Sequence, residues 1–192
     1  MKQFLLLLLL FGCSQNSGNQ QNFYAKLSDA ALSIVNRNIR YDADYTQIPY
    51  PNGDVAKDRG VCTDVVIRSY RKLGIDLQKE VHEDMAANFS KYPKSWGLRT
   101  TDTHIDHRRV PNLEVFFSRK GTSLPVTDKA ADYKPGDVVS WRLPSGRPHI
   151  GIVVDKKGAN GRYKMVHNIG FGQELEDCLF GYKINGHFRY QK

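Results

Sequence analysis

The chain has 192 residues, 40% of them hydrophobic, and a formal net charge of +8. Beyond an amino-terminal targeting segment about 170 residues remain, enough for one domain whose core needs no disulfide or metal. The positive charge favours anionic wall polymers and phospholipid head groups as partners, and the export signal described next excludes nucleic acid.

Residues 1–12 have the layout of a secretory signal peptide. Lys2 is followed by an apolar run from residue 4 to residue 11, which is shorter than the roughly 20 residues that a membrane-spanning helix needs. The run ends in Leu-Phe-Gly-Cys at 10–13, which resembles the lipobox of bacterial lipoproteins. We therefore expect lipidation of Cys13 to anchor the protein to a membrane of the cell envelope, periplasmic or outer. Ordinary secretion with cleavage elsewhere is the alternative.

The amino-terminal part of the mature chain is predicted to be a tether, a helix and a loop. Residues 13–22 are polar and uncharged after the cysteine, which predicts a flexible tether, so that the globular domain spans 23–192. Apolar residues at helical spacing between Leu27 and Val35 predict an amphipathic helix. From Arg40 to Gly60 no period is sustained, and loops of that length are usually functional.

Three further helices and four strands follow in the predicted order. The helices lie at 62–73, before Gly74; within 77–92, before Pro93; and from Pro111 to Gly121. After Tyr133 short β-branched and aromatic runs predict strands at 137–141, 149–155, 163–169 and 182–190. Helices followed by strands predict an α+β domain with an antiparallel sheet.

Cys62 is the first residue of one predicted helix, in the string Gly-Val-Cys-Thr-Asp at 60–64. The positive end of the helix dipole and the unpaired N–H groups there favour a thiolate, so we expect a lowered pKa. The same N–H groups are suited to binding an oxyanion. A disulfide with Cys178 is the structural alternative in an oxidising compartment.

His149 is the candidate base for that cysteine. It opens a predicted strand on which Gly151 and Val153 share its face, and the glycine leaves room for an imidazole. A hairpin to the next strand places His167 or Asn168 near His149, where either residue can hold the imidazole in the right tautomer.

These motifs together resemble the NlpC-type, papain-like cell-wall cysteine peptidases. The likeness rests on the cysteine that opens a helix, Pro-Gly-Asp-Val-Val at 135–139, His-Ile-Gly-Ile-Val-Val at 149–154 and Val-His at 166–167. The strings at 58–71 and 105–113 resemble more closely a bacterial family known as domain of unknown function 1287. That closer likeness runs from about Ala25 to Tyr190, nearly the whole domain.

The resemblance implies a papain-like fold in which the helix that starts at the catalytic cysteine packs on an antiparallel sheet. It implies that Cys62 is the nucleophile, His149 the base and His167 the residue that orients the base. It also implies that Tyr50, 12 residues before Cys62, lines the site. No cofactor is implied.

Substrate contacts are predicted around the same motifs. His104, Asp106 and His107 form only a thin zinc pattern, so we expect no metal there and a surface or substrate-contact role instead. Arg108 and Arg109 are suited to hold a carboxylate of a wall peptide in a bidentate fork, with ordinary solvated charge as the alternative. The predicted substrate-binding residues are Tyr50, Asp64, His107, Arg108 and Asn168.

The expected activity is amide hydrolysis through a thioester on Cys62, and the resemblance implies a peptidoglycan stem peptide as the substrate. Two alternatives stay open. One is acyl transfer or thioester hydrolysis on a lipid, as in permuted papain-like relatives. The other is a non-catalytic wall-binding lipoprotein that keeps the fold, which has no reason to carry an activated thiol.

Overall fold

The computed structural model describes residues 14–192, with side chains from Gln20 onward. The predicted signal peptide and Cys13 lie outside the described residues. Helix α1 (Ser14–Leu32) includes residues 14–22, so the backbone of the predicted flexible tether is helical. The reason is that serine, asparagine and glutamine cost only a few tenths of a kcal/mol each in a helix, and the buried Tyr24, Leu27 and Ala31 hold the rest of it on the domain.

Three more α-helices lie where the sequence predicts them. Helix α2 spans Cys62–Lys72, α3 spans Leu77–Ala87 and α4 spans Val110–Lys120. Gly74, just after α2, has a φ of 79°, which a glycine adopts without strain. Among the described residues, no helix is both long enough and apolar enough to cross a membrane.

The predicted loop before α2 contains two short strands, β1 (Arg40–Tyr41) and β2 (Arg59–Gly60), which pair in parallel. They bring the two ends of the loop together immediately before Cys62. The loop is therefore closed at its base, although the sequence of this segment carries no strand pattern.

The main sheet has six strands, all paired antiparallel, in the order β3-β8-β4-β5-β6-β7. The strands are β3 (Thr122–Ser123), β4 (Val138–Arg142), β5 (Pro148–Lys157), β6 (Tyr163–His167), β7 (Glu174–Glu176) and β8 (Lys183–Arg189). Strands β4, β5, β6 and β8 correspond to the four predicted ones. The α+β prediction is confirmed.

Both faces of the central strands are buried. On one face Ile150, Ile152 and Val166 pack against the helices. On the other face Val153 and Met165 form a second cluster, which is completed by Tyr133, Val139, Trp141, Cys178 and Leu179. Because side chains alternate along a strand, consecutive residues of β5 serve different layers of the molecule.

Candidate active site

The start of α2 is held in place by two side chains. The Asp64 carboxylate accepts a hydrogen bond from the Val61 backbone N–H at 2.6 Å, which satisfies one of the free donors at the helix start. The Asn168 amide donates to the Gly60 carbonyl at 3.1 Å and so ties this turn to the end of β6. The Cys62 sulfur therefore has a defined position relative to the sheet.

The Cys62 thiol is buried, with 5% of the residue exposed. Burial raises the pKa of this thiol to about 12, and the nearby Asp64 adds to the rise. The nearby backbone amides of Ile150, Thr63 and Cys62 lower this pKa, with Ile150 the strongest of the three. The prediction of a lowered pKa is wrong, because loss of solvation outweighs the helix terminus.

The contact with the Ile150 amide places the Cys62 sulfur beside the peptide group that joins His149 to Ile150. The Ile150 side chain packs in the core under the helices. The imidazole of His149 stacks on Trp141, its partner across β4 and β5, with ring centroids 5.5 Å apart. The peptide group after His149 is thus the place where the cysteine and the histidine strand meet.

His149 and His167 are brought together directly. His149 Nε2 lies 2.9 Å from His167 Nδ1, and both residues are buried. Gly151 makes this approach possible, since a Cβ at this position would come within 3.0 Å of the His167 Cβ and 2.9 Å of the Val166 carbonyl oxygen. Of the two residues considered for orienting His149, His167 makes the contact.

Glu176 on β7 completes the series. Its Oε2 lies 2.9 Å from His167 Nε2. Because a carboxylate accepts hydrogen bonds but does not donate them, His167 carries its proton on Nε2 and accepts at Nδ1. His149 then donates from Nε2, which leaves its Nδ1 unprotonated and able to take a proton. The sequence offers no motif around Glu176, and sequence reasoning missed it.

Both histidines are uncharged at neutral pH. Burial lowers the pKa of His149 to about 3, and the charge of a protonated His167 lowers it further. Burial also lowers the pKa of His167, while the neighbouring Glu176 opposes this shift. Together with the raised pKa of Cys62, these directions describe a resting thiol and imidazole rather than a thiolate and imidazolium.

Two of the predicted substrate contacts, Asp64 and Arg108, bind each other instead. Arg108 Nε and Nη2 each donate to one oxygen of the Asp64 carboxylate at 3.0 Å, and both side chains are 2% exposed. Arg108 Nη2 also donates to the carbonyl of Asp42 at 3.3 Å. Their charges fix the start of α2 inside the protein, and their role in substrate binding stays a prediction.

The other three predicted substrate contacts are also placed differently. His107 is buried, and burial lowers its pKa to about 3. Asn168 is buried and holds the turn before Cys62. Tyr50 is exposed and packs edge-on against His82 on α3, with ring centroids 5.3 Å apart. None of these contacts involves Cys62 or His149, and the substrate-binding role of these three residues stays a prediction.

Tyr41, rather than Tyr50, is the tyrosine near the thiol. It lies on β1 and is 42% exposed. Partial burial raises its pKa to about 12, and the adjacent Cys62 is the next largest cause of that rise. The loop from Arg40 to Gly60 contains several tyrosines, and without the β1–β2 pairing nothing in the sequence selects this one.

Cys62 and Cys178 are both free thiols, so the disulfide alternative is wrong. The Cys178 sulfur lies instead 3.4 Å from His167 Nε2. The weak zinc pattern does not converge, since His104 contacts the backbone of Ile48 while Asp106 contacts the side chain of His82. Across residues 20–192, the one group of three potential metal ligands is His167, Glu176 and Cys178.

The family model described as "Domain of unknown function (DUF1287)" matches residues 28–190. The chain belongs to the DUF1287 family. It is 48% identical over 171 residues to "Uncharacterized protein YijF" of Escherichia coli (strain K12), a match that covers 89% of this chain and 83% of YijF. The sequence-based family assignment is therefore confirmed.

Two solved structures of Trichomonas vaginalis proteins, NlpC1 and NlpC2, are similar to this DUF1287 chain. They cover 88% and 87% of it with TM-scores of 0.46 and 0.45 and sequence identities of 15% and 14%. The chain spans less than half of each of those proteins, 45% and 46%. The DUF1287 match itself includes Cys62, His149, His167 and Glu176.

Proposed function

We propose that this DUF1287 protein is a cysteine amidase or peptidase of the cell envelope that cuts peptidoglycan stem peptides. Cys62 attacks the carbonyl carbon of an amide while its thiol proton passes to His149 Nδ1. The same proton then goes to the leaving amine, and the acyl group stays on sulfur as a thioester. Water attacks the thioester, which releases a carboxylic acid and restores the thiol.

The observation that carries this proposal is the hydrogen-bonded series from Glu176 through His167 to His149, the residue whose following peptide group adjoins the Cys62 sulfur. A carboxylate that fixes the tautomer of one imidazole also fixes that of the next, and this keeps a proton acceptor at His149 Nδ1. The backbone amides of Cys62 and Thr63, at the start of α2, are the proposed donors for the negative charge that develops on the attacked carbonyl.

The substrate and the location in the cell rest on the sequence. The net charge of +8 favours an anionic wall polymer. The lipobox-like string at 10–13 supports an anchor at Cys13, which would hold the domain at the membrane beneath its substrate. The wall peptide and the membrane are thus the proposed partners.

The test is mass analysis of peptidoglycan fragments after incubation with the full mature chain. We expect the wild type to release new fragments whose masses identify the bond that is cut.

Cys62→Ala should abolish turnover, and His149→Ala should reduce it at least about 100-fold, because a general base contributes roughly 10²–10⁴-fold. His167→Ala should retain measurable activity, since His167 orients the base without taking the proton. His82→Ala, in a histidine that contacts Asp106 and Tyr50, serves as the matched control.

Two other outcomes would instead support the alternatives of a wall-binding lipoprotein or of acyl chemistry on a lipid. Fragments left intact but retained by the protein would favour a wall-binding module. Release of fatty acid from phospholipid vesicles, with peptidoglycan fragments unchanged, would favour acyl chemistry on a lipid. Full turnover by His149→Ala would show that another group is the base.

A further inference from the structure

We propose that His167, Glu176 and Cys178 form a zinc site, and that zinc bound there removes the proton acceptor at His149. The second half of this inference rests on the proposed function. The first half concerns binding alone and stands or falls independently. The Cys178 thiol takes no part in the proposed hydrolytic mechanism, and it forms no disulfide.

The three potential ligand atoms are already spaced for one ion. All lie within 4.8 Å of one another, with 3.4 Å between His167 Nε2 and Cys178 Sγ and 2.9 Å between Nε2 and Glu176 Oε2. Tetrahedral zinc has bonds of about 2.0 Å to nitrogen and oxygen and about 2.3 Å to sulfur. It therefore needs roughly 3.5 Å between the nitrogen and the sulfur and roughly 3.3 Å between the nitrogen and the oxygen. The nitrogen–sulfur separation already matches, the nitrogen–oxygen separation is a few tenths of an ångström short, and the oxygen and the sulfur lie within 4.8 Å of each other.

The chemistry and exposure of the cluster suit zinc as well as the distances do. Thiolate, imidazole and carboxylate are the ligand types that zinc uses in proteins. The imidazole and the sulfur are buried, whereas the Glu176 side chain is 51% exposed. The ion therefore has a path from solvent, the carboxylate has freedom to adjust, and a water can complete four-coordination.

The charges around Cys178 favour a cation. The acidic residues Glu176 and Asp177 directly precede Cys178 along the chain. A divalent ion interacts favourably with these acidic groups and displaces the thiol proton when it binds the sulfur.

Zinc at His167 Nε2 reverses the order of protons along the two imidazoles. The metal occupies the nitrogen that otherwise donates to Glu176, so the neutral His167 ring carries its proton on Nδ1. That proton points at His149 Nε2, 2.9 Å away, which must then accept. His149 consequently holds its own proton on Nδ1 and has no lone pair there for the Cys62 proton.

The protons balance with a single loss. Before binding, each imidazole carries one proton on Nε2, and afterwards each carries one on Nδ1. Cys178 changes from thiol to thiolate, so binding of one zinc releases one proton, and the apparent affinity increases with pH. No oxidant or second reactant is involved.

Cobalt(II) is the probe for the site, because its bonds to sulfur give a charge-transfer absorption and its tetrahedral complexes are strongly coloured. The experiment uses the full chain with Cys62→Ser, in which Cys62 contributes no thiol and turnover is not needed. We expect the cobalt absorption to appear, and to be lost when zinc displaces the cobalt.

Adding Cys178→Ser should remove the sulfur band, and adding Glu176→Gln should weaken binding at least tenfold. Glu174→Gln, in a residue that pairs with Arg37, is the matched control and should keep the band.

The switch is tested on His149 itself by ¹⁵N NMR of histidine-labelled protein. We expect His149 to change from the Nε2–H to the Nδ1–H tautomer when zinc is added. Zinc should also inhibit fragment release by the wild type, with recovery on chelation, and Cys178→Ser should be resistant to zinc.

Each failure points to a different part of the inference. No cobalt sulfur band, or a band that survives Cys178→Ser, overturns the site. Zinc binding with an unchanged His149 tautomer overturns the switch. A chain that binds cobalt through Cys178 yet never cuts peptidoglycan leaves the metal site intact and defeats only the proposed hydrolase.

Discussion

The sulfur of Cys62 lies at a helix start, where the dipole stabilises a negative charge by about 0.3–1 kcal/mol. With only 5% of the residue exposed, the thiolate loses most of its hydration, and burying a charge costs several kcal/mol. The larger effect decides the outcome, which is why burial raises the pKa of Cys62 to about 12. Nucleophilic attack then requires that the thiol proton leave as the carbon–sulfur bond forms. The orientation of His149, which accepts that proton, therefore matters more than a thiolate in the resting protein.

This protonation state predicts how fast the cysteine is alkylated. With a thiol pKa of about 12, the rate constant of iodoacetamide modification at Cys62 should be far below that of glutathione at pH 7.5. It should rise about tenfold per pH unit with no plateau below pH 10, because only the thiolate reacts. The measurement is mass spectrometry of the Cys62 peptide across pH 7–10.5. A plateau below pH 8 would instead identify a thiolate–imidazolium pair.

Helix α2 depends on a buried ion pair for the position of its first turn. Asp64 accepts from the Val61 N–H and from two nitrogens of Arg108, a residue 44 positions away along the chain. Arg108 in turn reaches the carbonyl of Asp42, in the loop closed by β1 and β2. The pair therefore links three segments at the point where the nucleophile is placed.

Arg108→Met should destabilise the protein by about 3–5 kcal/mol, since it leaves the Asp64 carboxylate buried without its partner. Adding Asp64→Asn removes that charge while an amide oxygen can still cap Val61, so the double variant should be more stable than Arg108→Met alone. Urea unfolding of the wild type, both single variants and the double variant measures the interaction energy. A loss below 1 kcal/mol in Arg108→Met would mean that water or another cation compensates.

The elements themselves follow from periodicity, because α2–α4 and β4, β5, β6 and β8 each carry a clear apolar pattern. The three-residue strand β7 is too short to show one, and with it the position of Glu176 was missed. Asp64 and Arg108 were assigned to substrate, Arg108 because its guanidinium is suited to a bidentate fork on a carboxylate. Their burial depends on partners distant in sequence, which periodicity does not reveal. Cys62, His149 and His167 were selected as candidates because each lies at or near the start or end of a well-patterned element.

Of the four buried histidines among residues 20–192, three have pKa values that burial lowers. Burial lowers the pKa of His107 and of His149 to about 3, and it also lowers that of His167. In the unfolded chain each titrates near 6.5. Because the folded pKa values are depressed, the unfolded state binds more protons below pH 6.5. Their contribution to stability is complete above pH 6.5 and is lost as the pH falls toward 3.

The free energy of unfolding should therefore decrease between pH 6.5 and 5.5, by up to about 1.4 kcal/mol for each histidine. His107→Gln replaces one of the three with a side chain that does not titrate, so the decrease should be smaller in that variant. Urea unfolding at pH 7.5, 6.5 and 5.5 provides the comparison. Equal stability at all three pH values would show that the histidines already bind protons in the folded state.

The alternating faces of β5 also bear on how this sequence can diverge. Ile150 and Ile152 contribute volume to the helix-side core, so other aliphatic residues can replace them with modest cost. His149 and Gly151 are fixed instead by a ring-to-ring approach that leaves no space for a Cβ at 151. A one-residue insertion within the strand would move the following side chains to the opposite face of the sheet. The turn at 143–147 can instead accept a change of length. Homologous sequences should thus vary in length at that turn and in bulk at alternate positions of the strand.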